Sequence, residues 1–205
     1  PKGLIDPKNK KVYFVSAYSW WACHGGVPEL LKEASKCQPL CKMCHTVENT
    51  GDAGNRVLHP DTYPVVRWKD DKKAYEARHN AHIKYPKIKY VDDLKRHLGG
   101  CAHLGCPGGE GPEDWINKHP QCGDWDHVDE TDKEIRIAKI VSDLHKVPVA
   151  AWKAAIDTEL RKCRLLCKNC HHCRSNKKIT IETIPRDQYL LKLEAAIAHA
   201  TALIE

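Results

Sequence analysis

The stretch Cys167-Lys168-Asn169-Cys170-His171 carries the strongest signal in this sequence, because it joins a Cys-x-x-Cys pair to a histidine. Two thiolates at this spacing are typical of one half of a tetrahedral zinc site. The histidine that follows them directly can bind a second ion or act on a substrate. The stretch therefore predicts a metal site with a reactive group beside it.

A second cysteine pair lies upstream and has four residues between its members, which falls within the range of a zinc half-site. With one Phe and one Met in 205 residues, the chain has a thin apolar core, and thin cores usually need a metal or disulfides. Structural zinc contributes on the order of 10 kcal/mol in small peptides. We therefore predict one structural zinc ion, bound by Cys101, Cys106, Cys167 and Cys170. The rival ligands are Cys122, Cys163 and Cys173.

Disulfides are the alternative use of these cysteines. A secreted chain would pair them, and the total of 11 would leave one thiol over. Histidines beside the Cys-x-x-Cys motifs favour metal over disulfides. The sequence thus favours an intracellular protein, without distinguishing nucleus, organelle and cytoplasm.

An Asp-His pair, Asp126-His127, lies about forty residues before the Cys-x-x-Cys-His stretch and after the first cysteine pair. This order of motifs strongly resembles the HNH (His-Me finger) nuclease family over roughly residues 100–180. The resemblance implies a two-stranded hairpin that carries the Asp-His pair and a following helix that carries the last histidine. It also implies that Asp126 and His171 bind Mg²⁺ or Mn²⁺ and that His127 is the general base.

The roles that the resemblance implies agree with general chemistry. A divalent cation neutralises charge that develops on a scissile phosphate, and a histidine can take the proton of the attacking water. Neighbouring residues of a strand point to opposite faces, so Asp126 and His127 need a local bend or a strand end to share one centre. Gly123 is the expected source of that bend.

The sequence departs from the family pattern at one position. The family has an asparagine shortly before the Cys-x-x-Cys pair, where it supports the base histidine. That position falls at Lys162, and Asn169 lies inside the cysteine pair instead. Loss of this support would weaken the alignment of the base.

Three basic residues follow His171, namely Arg174, Lys177 and Lys178. The resemblance implies that they contact a nucleic-acid backbone. A solvated helix face is the alternative explanation for them.

The chain contains a degenerate internal repeat, in which residues 37–45 match residues 163–171. Gly3-Leu4 stands where the second copy has Asp126-His127, so the first copy lacks the acid and the base. Two copies of one supersecondary unit are the simplest account. Cys41 and Cys44 are possible ligands of a second zinc ion, with Cys23, His24 or Cys37 as partners, or they bind no metal.

These observations predict an α+β protein built from zinc-stapled ββα-metal (HNH-like) modules. We expect a degenerate module at 1–56, a connector at 57–99, an HNH-like zinc-binding module at 100–184 and a C-terminal helix at 185–205. A short helix is expected from Tyr90 to Leu98, ended by Gly99-Gly100. Another should start at Pro148, with Val149, Trp152, Ile156 and Leu160 on one face. The last helix should pack through Tyr189, Leu193, Ile197, Ala200 and Ile204.

The formal net charge of +6 is compatible with a nucleic-acid partner but does not establish one. No apolar run is long enough to span a bilayer. We expect a metal-dependent endonuclease that hydrolyses phosphodiester bonds, with DNA favoured and RNA as the alternative. The second hypothesis is a non-catalytic nucleic-acid-binding or scaffold subunit of a large assembly, built on the same fold.

Overall fold

The computed structural model describes residues 4–5, 12–13, 43–44, 46–47, 58–106, 114–129, 131–132, 134–143, 145–176 and 181–204. The chain divides into two compact units, Pro1–Cys41 and Lys42–Glu205. In the first unit, β1 (Leu4–Ile5) pairs antiparallel with β2 (Val12–Tyr13). Most of the degenerate module at 1–56 lies outside the described residues, so this copy of the fold stays a prediction.

The larger unit contains a strand–strand–helix arrangement. Strand β3 (Gly123–His127) pairs antiparallel with β4 (Cys163–Cys167), and helix α5 (Lys168–Ser175) begins directly after β4. In the register, Asp126 lies opposite Arg164 and His127 lies opposite Cys163. The antiparallel pair with Asp126 and His127 on its first strand and a helix after the second agrees with the expectation, but residues 128–162 join the strands in place of the tight turn of a hairpin.

Gly123 starts β3 and does not bend it, which corrects the expectation from the sequence. Its φ of −98° is ordinary extended backbone. A Cβ at this position would lie 2.9 Å from Leu165 Cδ1 and 3.4 Å from Ile116 Cγ2. A glycine at this position therefore lets the strand pack closely against the core.

Two helices lie between the paired strands, α3 (Ile137–Ser142) and α4 (Val149–Leu160). Helix α4 buries Trp152, Ile156 and Leu160, as the sequence predicts. Val149 is 52% exposed, so its expected place on the buried face is wrong. The reason is its position in the first turn, directly after the N-cap residue Pro148.

Helix α1 (Lys72–Leu98) is much longer than the expected Tyr90–Leu98 segment. It begins at an N-cap, Asp71, whose carboxylate accepts a hydrogen bond from the Ala74 backbone N–H at 3.0 Å. It ends at Gly99, whose φ of 65° is the left-handed conformation that glycine adopts without a Cβ clash. The predicted end is therefore confirmed and the predicted start is wrong.

The C-terminal helix α6 (Arg186–Ala202) packs along α1. It buries four residues of the predicted stripe: Tyr189, Leu193, Ile197 and Ala200. The fifth residue, Ile204, is partly buried and packs against the core. Rings of His97 and His199 stack between the two helices at a centroid distance of 4.5 Å. The Tyr189 hydroxyl accepts a hydrogen bond from the Leu165 backbone N–H at 2.8 Å, which joins α6 to β4.

The described residues thus form an α+β fold, with helices around a small two-stranded antiparallel sheet and a short helix α2 (Asp114–Lys118) before β3. A buried network joins α1 to α4, because the Tyr90 hydroxyl donates to Asp157 at 2.5 Å and Lys153 lies 2.7 Å from the same carboxylate. Among the helices of the described segments, none has the length and apolarity needed to cross a membrane.

Candidate functional site

Four cysteines converge as predicted. The ligand atoms of Cys101, Cys106, Cys167 and Cys170 all lie within 4.8 Å of one another. Cys106 Sγ is 3.7 Å from Cys167 Sγ and 3.5 Å from Cys170 Sγ. Three of these residues are buried and Cys101 is half-buried. Cys122, Cys163 and Cys173, the rival ligands, are not part of this group.

Backbone hydrogen bonds position the sulfurs. The Cys167 N–H donates to Cys101 Sγ at 3.2 Å, and the Cys170 N–H donates to Cys167 Sγ at 3.4 Å. Cys167 is also the N-cap of α5, so the start of this helix fixes the second half of the site. The Ala102 N–H donates to the Leu165 carbonyl at 2.8 Å and holds the first half against β4. Two distant segments therefore meet at one edge of the strand pair.

The electrostatics of the cluster fit a bound cation. Hydrogen bonding to Cys106 raises the pKa of the Cys101 thiol, and hydrogen bonding to Cys101 raises that of Cys170. Hydrogen bonding to Cys101 lowers the pKa of Cys167. Several thiolates at this separation repel one another unless a cation lies between them. Four sulfurs are a ligand set that zinc accepts in structural sites, so the cluster can hold a metal ion and is consistent with structural zinc.

Asp126 is buried and held by two arginines. Arg174 Nη1 lies 2.5 Å from each carboxylate oxygen, and Arg164 Nε lies 3.2 Å from Oδ2. Arg174 also donates to the carbonyl oxygens of His127 and Val128, at 3.1 and 3.2 Å. Because the Asp126 side chain is 7% exposed, the two guanidinium groups supply the charge balance that its burial requires.

His171 lies between two aspartates of β3. Its Nδ1 is 3.0 Å from Asp124 Oδ2, and its Nε2 is 3.8 Å from Asp126 Oδ1. The hydrogen bond to Asp124 raises the pKa of His171. Burial opposes ionisation of Asp124, but the hydrogen bond from His171 and the charge of Lys168 outweigh it and lower the pKa of this carboxyl. The predicted pair of Asp126 and His171 is therefore brought together, with Asp124 as an additional neighbour.

His127 contacts a different partner. Its Nε2 is 2.6 Å from Glu159 Oε1, and the two side chains are 8% and 2% exposed. Glu159 also lies 3.3 Å from Lys162 Nζ. Burial raises the pKa of Glu159, but the hydrogen bonds from His127 and Lys162 lower it by more. With an ionised Glu159 accepting from Nε2–H, Nδ1 of His127 keeps its lone pair and can accept a proton.

Glu159, Asp124 and Arg164 are residues of this site that the sequence alone did not predict. Glu159 gives His127 a hydrogen-bond partner from α4, and Lys162, the position at which a supporting asparagine was expected, lies 3.3 Å from this carboxylate. A signal for it was present, because Glu159 follows Ile156 by three residues and so lies on the buried face of α4. Asp124 had no such signal apart from its position two residues before Asp126 on one strand face.

A cleft of about 800 Å³ opens over the exposed side of β3. Its lining includes Asp124, Asp126, His127 and His171, together with residues of α1 and α3. Asp126 bonds to side chains of β4 and α5, whereas His127 bonds to α4, so the two residues meet different partners and still border one cavity. We call this cavity the β3 cleft.

The remaining predicted site residues have separate outcomes. Arg174 binds Asp126, so its side chain is not directed at a nucleic-acid backbone in this structure. Lys177, Lys178 and Cys41 lie outside the described residues. Cys44 is half-buried, and it joins no metal-ligand group among the residues that the structure describes.

Comparisons of the chain with protein-family models, with curated proteins and with solved structures find no significant match.

Proposed function

We propose that this protein is a metal-dependent nuclease that hydrolyses phosphodiester bonds in nucleic acid at the β3 cleft. One observation carries the proposal: Asp126, His171 and a carboxylate-supported His127 border one cavity beside the four-cysteine cluster. This is the set of groups that hydrolysis assisted by one metal requires. The resemblance of the motif order to the HNH family supports the same conclusion.

Asp126 and His171 would hold the divalent cation, because their ligand atoms, 3.8 Å apart, can both reach one ion and the carboxylate is the ligand type that Mg²⁺ and Mn²⁺ prefer. Such a cation would neutralise the charge that develops on the phosphate. Nδ1 of His127 would take the proton of the attacking water, since Glu159 holds Nε2–H and stabilises the protonated ring. Asp124 would orient His171 through its hydrogen bond to Nδ1.

A second function is supported by the arginines at Asp126. Arg174 and Arg164 already neutralise this carboxylate, which is the role that a bound cation would otherwise fill. A protein that keeps this arrangement would bind nucleic acid or a larger assembly without cutting. In that case the zinc cluster and the strand pair serve as a rigid scaffold.

Plasmid nicking decides between the two functions. Purified protein with zinc bound is mixed with supercoiled plasmid and Mg²⁺ or Mn²⁺, and relaxed product is measured over time. The nuclease proposal expects nicking that His127→Ala reduces by about 10²–10⁴-fold, the usual contribution of general base catalysis. His145→Ala is the matched control, because His145 is exposed and lies outside the β3 cleft. No cutting with either cation favours the scaffold, and nicking that is unchanged in His127→Ala rejects His127 as the general base.

A further inference from the structure

The walls of the β3 cleft indicate which nucleic-acid substrate it takes. Helix α1 supplies Ile88 and Val91 to one wall, and helix α3 supplies Ile137 and Val141 to another. The acid and histidine groups line the same cavity along β3. A concave space of about 800 Å³ that combines these apolar side chains with polar and charged ones falls within the size range of small-molecule pockets.

We propose that the β3 cleft takes up an unpaired nucleotide, with its base against the apolar walls and its phosphate toward Asp126 and His171. This inference rests on the proposed function and names its substrate class. In a duplex, both faces of each base are covered by stacked neighbours, so apolar side walls gain contact only when a base leaves the stack. Proteins that read intact duplexes instead insert a protruding helix or ribbon into a groove.

The charges on the cleft agree with this occupant. Arg136 and Lys95 line it together with His171, and they can attract the phosphates on either side of the bound nucleotide. Three acidic residues line the cleft, Asp92, Asp124 and Asp126, and the last two are balanced by His171, Arg164 and Arg174. A phosphate at Asp126 and His171 therefore meets compensated carboxylates, with Arg136 and Lys95 in the same cavity.

Two polar atoms beside the cleft add a means of contacting the base. Trp125 Nε1 and Gln121 Oε1 are buried and have no hydrogen-bond partner in the part of the chain that the structure describes. Both residues line the β3 cleft. An unsatisfied buried polar atom costs about 1–3 kcal/mol, and a base edge carries both acceptors and donors that can satisfy such atoms.

Oligonucleotide binding tests the inference without any cutting. A fluorescent single-stranded deoxy-oligonucleotide and the same strand in a fully paired duplex are titrated with zinc-loaded protein, at fixed salt and without added Mg²⁺. We expect the single strand to bind about tenfold or more tightly, because extrusion of a base from a duplex costs a few kcal/mol. Equal or tighter binding of the duplex would overturn the inference.

Val141→Trp tests the location, since a larger ring at this wall would fill the cleft. We expect about tenfold weaker binding of the single strand. Leu191→Trp is the control, because Leu191 is 74% exposed on α6. Zinc content and the thermal unfolding midpoint verify that both variants fold. A second variant, Trp125→Phe, keeps an aromatic ring but removes the N–H, and should weaken single-strand binding several-fold. Unchanged binding in both Val141→Trp and Trp125→Phe would contradict the placement.

The outcomes separate this inference from the nuclease proposal. If the protein prefers the single strand, Val141→Trp abolishes this preference and no cleavage occurs, the nucleotide site in the β3 cleft is supported and the nuclease proposal is rejected. Nicking of duplex plasmid by both the original protein and Val141→Trp supports the nuclease and rejects the cleft as the substrate pocket.

Discussion

The carboxylate of Glu159 lies 2.6 Å from Nε2 of His127, and both side chains are almost completely buried. Helix α4 thus supplies a partner for the histidine that the strand pair itself does not provide. This pair fixes which ring nitrogen can accept a proton, because the other one is engaged with a carboxylate.

Under the proposed function, substitution of Glu159 by Gln should lower nuclease activity. The amide removes the negative charge that stabilises a protonated His127, and partners of this kind are worth about 10–100-fold. Plasmid nicking is the measurement, and zinc content and the thermal unfolding midpoint verify that the variant folds. Glu194→Gln is the control, since Glu194 is a surface residue paired with Arg161. Loss of zinc or of the thermal transition in Glu159→Gln would indicate a structural role only.

The same carboxylate should make the free energy of unfolding depend on pH. The pKa of Glu159 is lower in the folded protein than its unfolded value of about 4.3. Its stabilising contribution is therefore complete above that unfolded value and is lost as the pH falls through the lower folded pKa. Chemical denaturation between neutral pH and pH about 3 should show a smaller loss of stability in Glu159→Gln than in the original protein. Parallel curves would contradict this assignment.

Removal of the metal should unfold the larger unit. Cys170→Ser deletes one of four sulfurs, and structural zinc contributes on the order of 10 kcal/mol in small domains. We expect loss of bound zinc by elemental analysis and loss of a cooperative thermal transition. Cys173→Ser is the matched control on the same helix, because Cys173 is outside the cluster. Full zinc content in Cys170→Ser would exclude this residue as a ligand.

Arg174 should compete with a divalent cation for Asp126. Both carry positive charge to one buried carboxylate, so Arg174→Gln should tighten Mn²⁺ binding by roughly tenfold, in line with loss of one close charge contact. Electron paramagnetic resonance of free Mn²⁺ measures the affinity directly, independently of cutting. Arg161→Gln, which removes an arginine bonded to Glu194, is the control. Unchanged Mn²⁺ affinity would show that Asp126 is not a cation ligand.

The interface of α1 and α6 should depend on Leu193. This side chain is fully buried, and truncation of a buried leucine to alanine costs about 2–5 kcal/mol through lost contacts and a residual cavity. Urea denaturation of Leu193→Ala measures this cost. Leu191→Ala should change stability by less than about 0.5 kcal/mol, because Leu191 is 74% exposed. Similar losses of stability in both variants would contradict the assignment of Leu193 to the buried face of α6 and of Leu191 to the exposed face.

Local patterns predicted those parts of the structure that depend on spacing along the chain. The convergence of Cys101 and Cys106 with Cys167 and Cys170 follows from two half-site spacings, which restrict the ligands strongly. The buried stripe of α6 follows from helical periodicity. Each of these signals depends on residues that lie close together along the chain.

Such local patterns did not predict contacts between residues that are far apart in the sequence. The partner of His127 is 32 positions away, and that of Asp126 on α5 is 48 positions away. The first two thirds of α1, residues 72–89, were not predicted because their polar sequence has weak periodicity and because Pro86 lies among them. In the folded chain, packing of α1 along α6 outweighs the free-energy cost of that proline.

Cys170 and His171 are consecutive residues of α5, so the sulfur cluster and the acid–histidine centre share a single turn of helix. Any event that releases the ion from its thiolates would let this turn unwind and carry the imidazole away from the aspartates. Under the proposed function, thiol oxidants would thereby stop hydrolysis without reacting with a group that takes part in it. The redox state of the surroundings would then govern a proposed activity whose own chemistry involves no electron transfer.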